Sequence, residues 1–168
     1  EAGVVELADG TVYYNTRRHW PSTEESKHRW AAKSDDAGET WVDAAEVPGL
    51  PDGPQGNFFG CFGGLERLPV EDQDILIVSN CDTQTSERRD GTVWLSKDGG
   101  ATWPQKREIW KGSFAYSALG VGRAGTKSEG WMYCFFEANG SSAYDGFSGY
   151  MARFNLAWLE ETAAPASS

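Results

Sequence analysis

The sequence predicts an all-β fold built from repeated small antiparallel sheets, the arrangement found in β-propellers. Three observations support this prediction. Apolar residues alternate with a period of about two along the chain, and no segment carries a long helical period. The 168 residues include 20 Gly and 8 Trp, which suits short strands joined by tight turns. A motif of eight residues occurs twice, each time after an alternating strand.

The repeated motif is Ser-x-Asp-x-Gly-x-Thr-Trp, and its residue types suit a tight turn between two strands. It reads SDDAGETW over residues 34–41 and SKDGGATW over residues 96–103. The Asp carboxylate can accept backbone N–H bonds inside the turn, and the Gly can adopt a positive φ. The Trp is expected to cover the core beneath the hairpin. We therefore assign a structural role to Ser34, Asp36, Gly38, Trp41, Ser96, Asp98, Gly100 and Trp103.

The strands are expected in a regular order along the chain. GVVEL and TVYYNTR form a hairpin around the ADG turn, and RWAAKS leads into the first motif. DILIVSN and GTVWLS lead into the second motif, and the later strands are KGSFAYSALGVG, EGWMYCFFEA and GYMARFNLAWL. The Pro- and Gly-rich stretch at 47–57 predicts a loop, and residues 160–168 predict a flexible tail.

The charge of the chain limits its partners. The formal net charge is −10 at pH 7, which argues against nucleic acid or an anionic membrane as the main partner. A small anionic ligand is compatible with this charge, because a local arginine cluster can dominate the field in a pocket. The sequence shows no basic leader and no long apolar run, so no signal peptide or membrane segment is expected.

The chain has three cysteines, Cys61, Cys81 and Cys134, which lack metal-binding spacing. All three lie in apolar or strand-like surroundings, which predicts buried thiols and leaves one disulfide open. No metal ion or other cofactor is expected. The cysteines do not define the compartment, so secreted, lysosomal and membrane-associated locations stay open for the full-length protein.

Several segments together resemble the sialidases, or neuraminidases, of the bacterial exo-α-sialidase type. The two motifs resemble the Asp-boxes of this family, also called bacterial neuraminidase (BNR) repeats. Further matching segments, in the family's order, are EAGVVELADGTVYYNTR, RRDGTVWLSKDGGATWP, GSFAYSAL, MYCFFEA and ARFNLAWL. The resemblance covers residues 1–159. It implies a six-bladed β-propeller, of which this chain holds about three blades from the C-terminal half, followed by the tail at 160–168.

The resemblance also implies a catalytic site. It places Tyr116 as the nucleophile and Glu1 as its base, with Arg17 and Arg88 binding the substrate carboxylate. Arginine suits this task because its planar guanidinium binds a carboxylate through two hydrogen bonds. A neutral phenol avoids the repulsion between a carboxylate nucleophile and the carboxylate of sialic acid. Its pKa near ~10 explains the need for a base. Arg89 is adjacent in sequence, and either it or Arg88 could bind the carboxylate.

Other residues complete the expected site. Glu137 matches the glutamate that orients the family's first arginine, and Asn15, Ser117 and Asn57 are further candidates for lining the pocket. That first arginine and the family's acid/base Asp have no counterpart in the chain. The resemblance implies retaining hydrolysis of terminal sialic acids on glycoproteins, glycolipids and oligosaccharides, with little or no turnover from this chain alone. A noncatalytic Asp-box propeller that binds carbohydrate or protein is the open alternative.

Overall fold

A computed structural model describes residues 1–18, 27–53, 60–85, 87–141 and 145–161 of the chain. Within these ranges it consists of β-strands and one short helix, α1 (Leu156–Glu160). The strands are β1 (Ala2–Glu6), β2 (Val12–Thr16), β3 (His28–Ser34), β4 (Val42–Pro51), β5 (Leu65–Arg67), β6 (Leu76–Cys81), β7 (Arg89–Ser96), β8 (Gln105–Val121), β9 (Trp131–Ala138) and β10 (Ser148–Asn155). The prediction of an all-β fold is confirmed.

The strands form antiparallel meanders in which sequence neighbours are also sheet neighbours. The first sheet has the order β1-β2-β3-β4, and the remaining strands are hydrogen-bonded in the order β5 to β10. The long strand β8 divides this second group, because residues 105–113 pair with β7 and residues 114–121 pair with β9. We therefore call β5-β6-β7 with the first part of β8 the second sheet. The second part of β8 with β9 and β10 is the third sheet.

The second sheet is covered on both faces, which explains why β6 and β7 are buried along most of their length. Leu76 and Val78 of β6 pack toward the first sheet, whereas Ile77 and Cys81 pack toward the third. Alternate side chains of a strand point to opposite faces, so one strand serves two cores. The core between the first and second sheets contains Leu7, Tyr13, Val47, Leu50, Leu76, Val78, Trp94 and Trp103.

The second Asp-box forms the turn that the sequence predicts. Asp98 Oδ1 accepts hydrogen bonds from the Thr102 amide at 2.9 Å and the Ser96 hydroxyl at 2.7 Å. Its Oδ2 accepts from the Thr102 hydroxyl at 2.6 Å. Gly100 has a φ of +84°, and a Cβ there would lie 2.6 Å from Tyr13. Glycine is therefore needed at this position both for the turn and for the contact with the first sheet.

The first Asp-box repeats this geometry. Asp36 accepts from the Thr40 amide at 2.8 Å, the Thr40 hydroxyl at 2.6 Å and the Ser34 hydroxyl at 2.7 Å. Gly38 has a φ of +92°. The bonds from Thr40 and Ser34 lower the pKa of Asp36 to about 2. The structural role predicted for both motifs is thus supported by the same set of bonds in each.

These carboxylates should make stability depend on pH in the acid range. The folded pKa values of Asp36 and Asp98 are lowered, so their bonds stabilise the fold above the unfolded value of ~3.9. That contribution is lost as the pH falls through the folded values. We expect Asp36→Asn to lower the Tm at pH 6 and to approach the wild type near pH 2, as measured by circular dichroism. The matched control is Glu39→Gln in the same turn, and an equal effect of the control would contradict the assignment.

The two Asp-box tryptophans differ, and the prediction that both cover a core is wrong for Trp41. Trp103 is only 7% exposed and packs in the core between the first and second sheets. Trp41 is 42% exposed and contacts Tyr14, with ring centroids 5.5 Å apart. The Trp103 contacts show that an Asp-box Trp packs against the preceding sheet. In the described part of the chain no sheet precedes the first one, so Trp41 lacks this cover.

Two local predictions are also wrong. The segment 47–51 of the predicted loop continues β4, because Val47 and Leu50 bury their side chains in the core and the prolines sit on an edge strand. The last predicted strand ends at Asn155, and the LAWLE segment after it forms α1. Asn155 caps this helix, since its side-chain oxygen accepts from the Trp158 amide at 2.8 Å. The remaining loop residues 54–57 and the tail at 162–168 lie outside the described residues.

The three cysteines are buried free thiols, as the sequence predicts. Cys61 and Cys81 lie together, with their sulfur atoms 3.6 Å apart. Burial raises the pKa of Cys134 to about 12. The hydrogen bond with Cys61, together with burial, raises the pKa of Cys81 well above its ordinary value. Thiols in such surroundings are poor nucleophiles.

Candidate active site

Four of the expected site residues lie at one edge of the sheets, where backbone pairing brings them together. Glu1 directly precedes β1 and Arg17 directly follows β2, so the hairpin places them opposite each other. The Arg17 amide donates to the Glu1 carbonyl at 3.0 Å. Arg88 precedes β7, and its carbonyl accepts from the Phe114 amide at 3.1 Å. This bond lies two residues before Tyr116 on β8.

The side chains of these residues converge on the phenol of Tyr116. Arg17 Nη1 donates to Glu1 Oε2 at 2.5 Å and to Tyr116 Oη at 3.2 Å. Tyr116 Oη lies 3.5 Å from Glu1 Oε1. The guanidinium carbon of Arg88 lies 5.1 Å from the centroid of the Tyr116 ring, and that of Arg17 lies 5.9 Å from it. The Tyr116 hydroxyl thus lies next to the Glu1 carboxylate and the Arg17 guanidinium, and the Arg88 guanidinium lies over the ring.

The charges in this cluster suit a reactive phenol and an anionic ligand. Burial lowers the pKa of Arg17, but the hydrogen bonds to Glu1 and Tyr116 outweigh burial and raise it above its ordinary value. Arg17 therefore stays protonated at every working pH. A carboxylate within hydrogen-bond reach of a phenol can take its proton during a reaction. The guanidinium groups of Arg17 and Arg88 can bind a carboxylate.

The neighbouring arginines Arg88 and Arg89 have different surroundings. Arg88 is only 9% exposed, packs on the Tyr116 ring and donates to the Gly60 carbonyl at 3.3 Å. Arg89 points to the surface, where it pairs with Glu87 at 2.9 Å and Asp90 at 3.1 Å. The geometry thus favours Arg88 over Arg89 as a ligand for a carboxylate at this site.

The structure shows no direct bond between Glu137 and the cluster among the described residues. It is half-buried on β9 and pairs with Gly149 of β10. Among the described residues, it makes no side-chain hydrogen bond or ion pair with Glu1, Arg17, Arg88 or Tyr116. Its expected partner, the family's first arginine, has no counterpart in the chain.

Two of the residues expected to line the pocket are instead fully buried. Asn15 is 0% exposed, and its side chain bonds to Arg29 and Tyr13. Ser117 bonds to the Ser79 hydroxyl at 2.9 Å beneath the surface. Ser117 points away from the cluster because it is adjacent to Tyr116 and adjacent residues of a strand face opposite sides. Asn15 is instead held among buried groups by its bonds to Arg29 and Tyr13. Asn57 lies outside the described residues.

A buried layer beneath the cluster was not identified from the sequence. The backbone segment 60–64 accepts from Arg88 at the Gly60 carbonyl and from the Ser117 amide at the Phe62 carbonyl, 3.0 Å away. A Cβ at Gly60 would lie 2.9 Å from Arg17 Cγ. The segment therefore contacts Arg17, Arg88 and the neighbour of Tyr116. The glycines of GCFGG are its only signal in the sequence, since glycine permits such close approach.

The described ranges contain no group of three or more His, Cys, Asp or Glu residues placed to hold a metal ion. In the same ranges, no helix has the length and hydropathy needed to cross a membrane. The chemistry that the described site offers is carboxylate binding by two arginines next to a phenol–carboxylate pair.

Comparison with known proteins shows the family to which the chain belongs. Residues 1–127 match the family of BNR repeat-like domains. The chain is also 34% identical to a sialidase from Micromonospora viridifaciens, over 98% of this chain. The chain belongs to the bacterial-type sialidase family. The chain spans 23% of the length of the Micromonospora sialidase.

Solved structures of the family share the fold of this sialidase-family chain. The intramolecular trans-sialidase from Ruminococcus gnavus, in complex with oseltamivir carboxylate, superposes with a TM-score of 0.72 at 19% identity. The match covers 96% of this chain and 34% of that one. A Hadza microbial sialidase superposes with a TM-score of 0.66 at 26% identity, covering 95% of this chain and 28% of that one.

Proposed function

We propose that this chain is part of an exo-α-sialidase and supplies its nucleophile, its base and two of its carboxylate-binding arginines. The observation that carries this proposal is the convergence of Glu1, Arg17 and Arg88 on the phenol of Tyr116. A binding module needs cations for a carboxylate ligand, but it does not need a base beside a tyrosine. Membership of the sialidase family supports sialic acid as the ligand.

The proposed reaction begins with binding of the sialoside carboxylate by the guanidinium groups of Arg17 and Arg88. Tyr116 Oη then attacks the anomeric carbon while Glu1 Oε1 accepts the phenolic proton. The bond between the anomeric carbon and the aglycone oxygen breaks. The aglycone leaves with that electron pair and takes a proton from an acid outside this chain. The product of this step is a covalent sialyl–enzyme in which the anomeric carbon is bonded to Tyr116 Oη as an aryl glycoside.

The second half of the reaction reverses the first with water as the nucleophile. Water attacks the anomeric carbon, the bond to Tyr116 Oη breaks, and Glu1 returns a proton to the phenolate. The water gives one proton to the same external group that acted as acid, and its remaining O–H becomes the anomeric hydroxyl. Each half inverts the anomeric carbon, so the sialic acid is released with retained configuration.

We further propose that residues 1–159 form about three blades in the C-terminal half of a six-bladed propeller, with 160–168 as a tail. The first and second sheets have four strands each, which is the size of a blade. The third sheet has three strands in the described residues, which supports completion by a strand from elsewhere in the protein. The missing acid and the family's first arginine would then lie in the other blades, and so would the partner of Glu137.

The test is turnover of a fluorogenic α-sialoside by the full-length protein that contains this chain. We expect release of the fluorophore, with a fluorogenic β-glucoside as the matched substrate that is not cleaved. Release from glycoproteins, glycolipids and oligosaccharides would define the natural substrates. Binding of the sialoside without release of the fluorophore would contradict the proposed enzymatic activity and favour a noncatalytic propeller that binds carbohydrate.

A further inference from the structure

We propose that the buried ion pair between Arg29 and Asp52 positions Arg17 and Arg88, and thereby sets the affinity of the site for the substrate carboxylate. This proposal rests on the proposed function, because it concerns the same carboxylate. Both residues are positioning residues, since neither lies among the groups that would touch the sialoside.

The pair is entirely enclosed. Arg29 Nη1 lies 3.7 Å from Asp52 Oδ1, and the two side chains are 1% and 0% exposed. Arg29 also donates from Nε to Asn15 Oδ1 at 2.6 Å and from Nη1 to the Cys61 carbonyl at 3.1 Å. Burying two charges costs desolvation that their attraction often fails to recover. A role in arranging the site gives such a costly pair a function.

Asp52 fixes the backbone that carries Arg17. Its Oδ2 accepts from the Arg18 amide at 2.8 Å, which is the peptide directly after Arg17. A Cβ at Gly60 would lie 2.8 Å from Asp52 Oδ2 and 2.9 Å from Arg17 Cγ. The carboxylate and the Arg17 stem therefore pack against the same glycine. A shift of Asp52 would move the end of β2 and the guanidinium that it presents.

Arg29 fixes the backbone that holds Arg88. It donates to the Cys61 carbonyl, and the preceding carbonyl, that of Gly60, accepts from Arg88 Nη2 at 3.3 Å. The peptide segment Gly60–Cys61 thus accepts a hydrogen bond from Arg29 at one carbonyl and from Arg88 at the next. Because Asp52 and Arg29 contact each other, the positions of both carboxylate-binding arginines depend on one buried pair.

The test replaces both charges with apolar side chains of similar size, since buried pairs replaced in this way often leave a protein folded. The variant is Arg29→Met with Asp52→Leu in the full-length protein, and Asp52→Asn is a second variant that keeps an oxygen for the Arg18 amide. The matched control is Arg67→Met with Asp74→Leu, which removes another ion pair, at 2.8 Å, between the end of β5 and the turn before β6. Binding is measured by calorimetry with N-acetylneuraminic acid and with its methyl ester, which lacks the charge.

We expect the double variant to bind the free acid about tenfold or more weakly than the wild type, while its affinity for the methyl ester stays within about twofold. KM for a fluorogenic sialoside should rise more than kcat falls. The control variant should keep the wild-type preference for the acid. Unchanged affinity for the acid in a folded variant would overturn the proposal. An equal loss for acid and ester would overturn it too, because only a general disturbance of the pocket affects both.

The remaining outcomes are also decisive. If neither variant reaches the near-UV circular dichroism spectrum of the wild type, the pair is a requirement of the fold, and the positioning proposal fails. If the wild type itself neither binds N-acetylneuraminic acid nor cleaves the sialoside, the proposed function fails. If the wild type does both and the variants match it, only the positioning proposal fails.

Discussion

Tyr116→Phe in the full-length protein should reduce kcat/KM for a fluorogenic sialoside by about 10²-fold or more. The change removes the nucleophilic oxygen and the phenolic proton that Glu1 would accept. The fold should be unaffected, since the Tyr116 hydroxyl bonds at the surface of the cluster to Arg17 and Glu1. Initial rates and the thermal unfolding curve measure the two effects separately.

The matched control for this change is Tyr14→Phe, which removes another partly exposed tyrosine hydroxyl, on β2. It should leave both the rate and the Tm within error of the wild type. A Tyr116→Phe enzyme that works within about twofold of the wild-type rate would reject Tyr116 as the nucleophile, because no chemistry of that step is open to Phe.

Arg17→Lys should have the second largest effect and should act mainly on KM. Lysine keeps the charge but cannot bind a carboxylate through two parallel bonds, and it cannot reproduce the contacts of Nη1 with Glu1 and Tyr116. A lost hydrogen bond between charged groups costs about 1.5–3 kcal/mol, which corresponds to roughly 10- to 150-fold in kcat/KM. Steady-state kinetics with the fluorogenic sialoside would measure this change.

Arg18→Lys is the control for this experiment. Arg18 is the next residue, and its guanidinium lies 4.5 Å from the Trp30 ring and 3.5 Å from Glu46, away from Tyr116. It should cost little activity. Equal losses of kcat/KM from the two changes would show that activity responds to any disturbance after β2 and does not depend on the bidentate contact of Arg17.

The repeating part of the fold was predictable because its signals are local. Strand alternation and the two Asp-boxes contain all the groups that form each turn, as the matching bonds of Asp36 and Asp98 show. The predictions failed where the burial of a side chain or the length of a strand depends on packing against another part of the molecule. Trp41 lies in the same motif as Trp103, but in the described residues no preceding sheet covers it. Strand β4 continues through a Pro-rich stretch because Val47 and Leu50 bury their side chains in the core between the first and second sheets.

The site was predictable only in part, and through the family resemblance. Glu1, Arg17, Arg88 and Tyr116 are far apart in sequence, and no spacing rule joins them before the sheets are built. The sequence named Arg88 and left Arg89 open, and the side-chain contacts of the two residues in the structure favour Arg88. Nothing in the sequence indicates that Arg29 and Asp52 form a pair. Arg29 resembles any charged residue next to an alternating strand, and Asp52 resembles a turn residue in a Pro- and Gly-rich stretch.

The central claim is that Tyr116 forms a bond to the anomeric carbon. A fluorinated sialosyl fluoride tests it directly, because its good leaving group permits that bond to form while the added fluorine slows hydrolysis. After reaction with the full-length enzyme, peptide mapping by mass spectrometry locates the attached sugar. We expect a single modification, on Tyr116, that disappears in Tyr116→Phe. A sugar attached to a carboxylate such as Glu1, or turnover of the probe with no attached sugar, would contradict it.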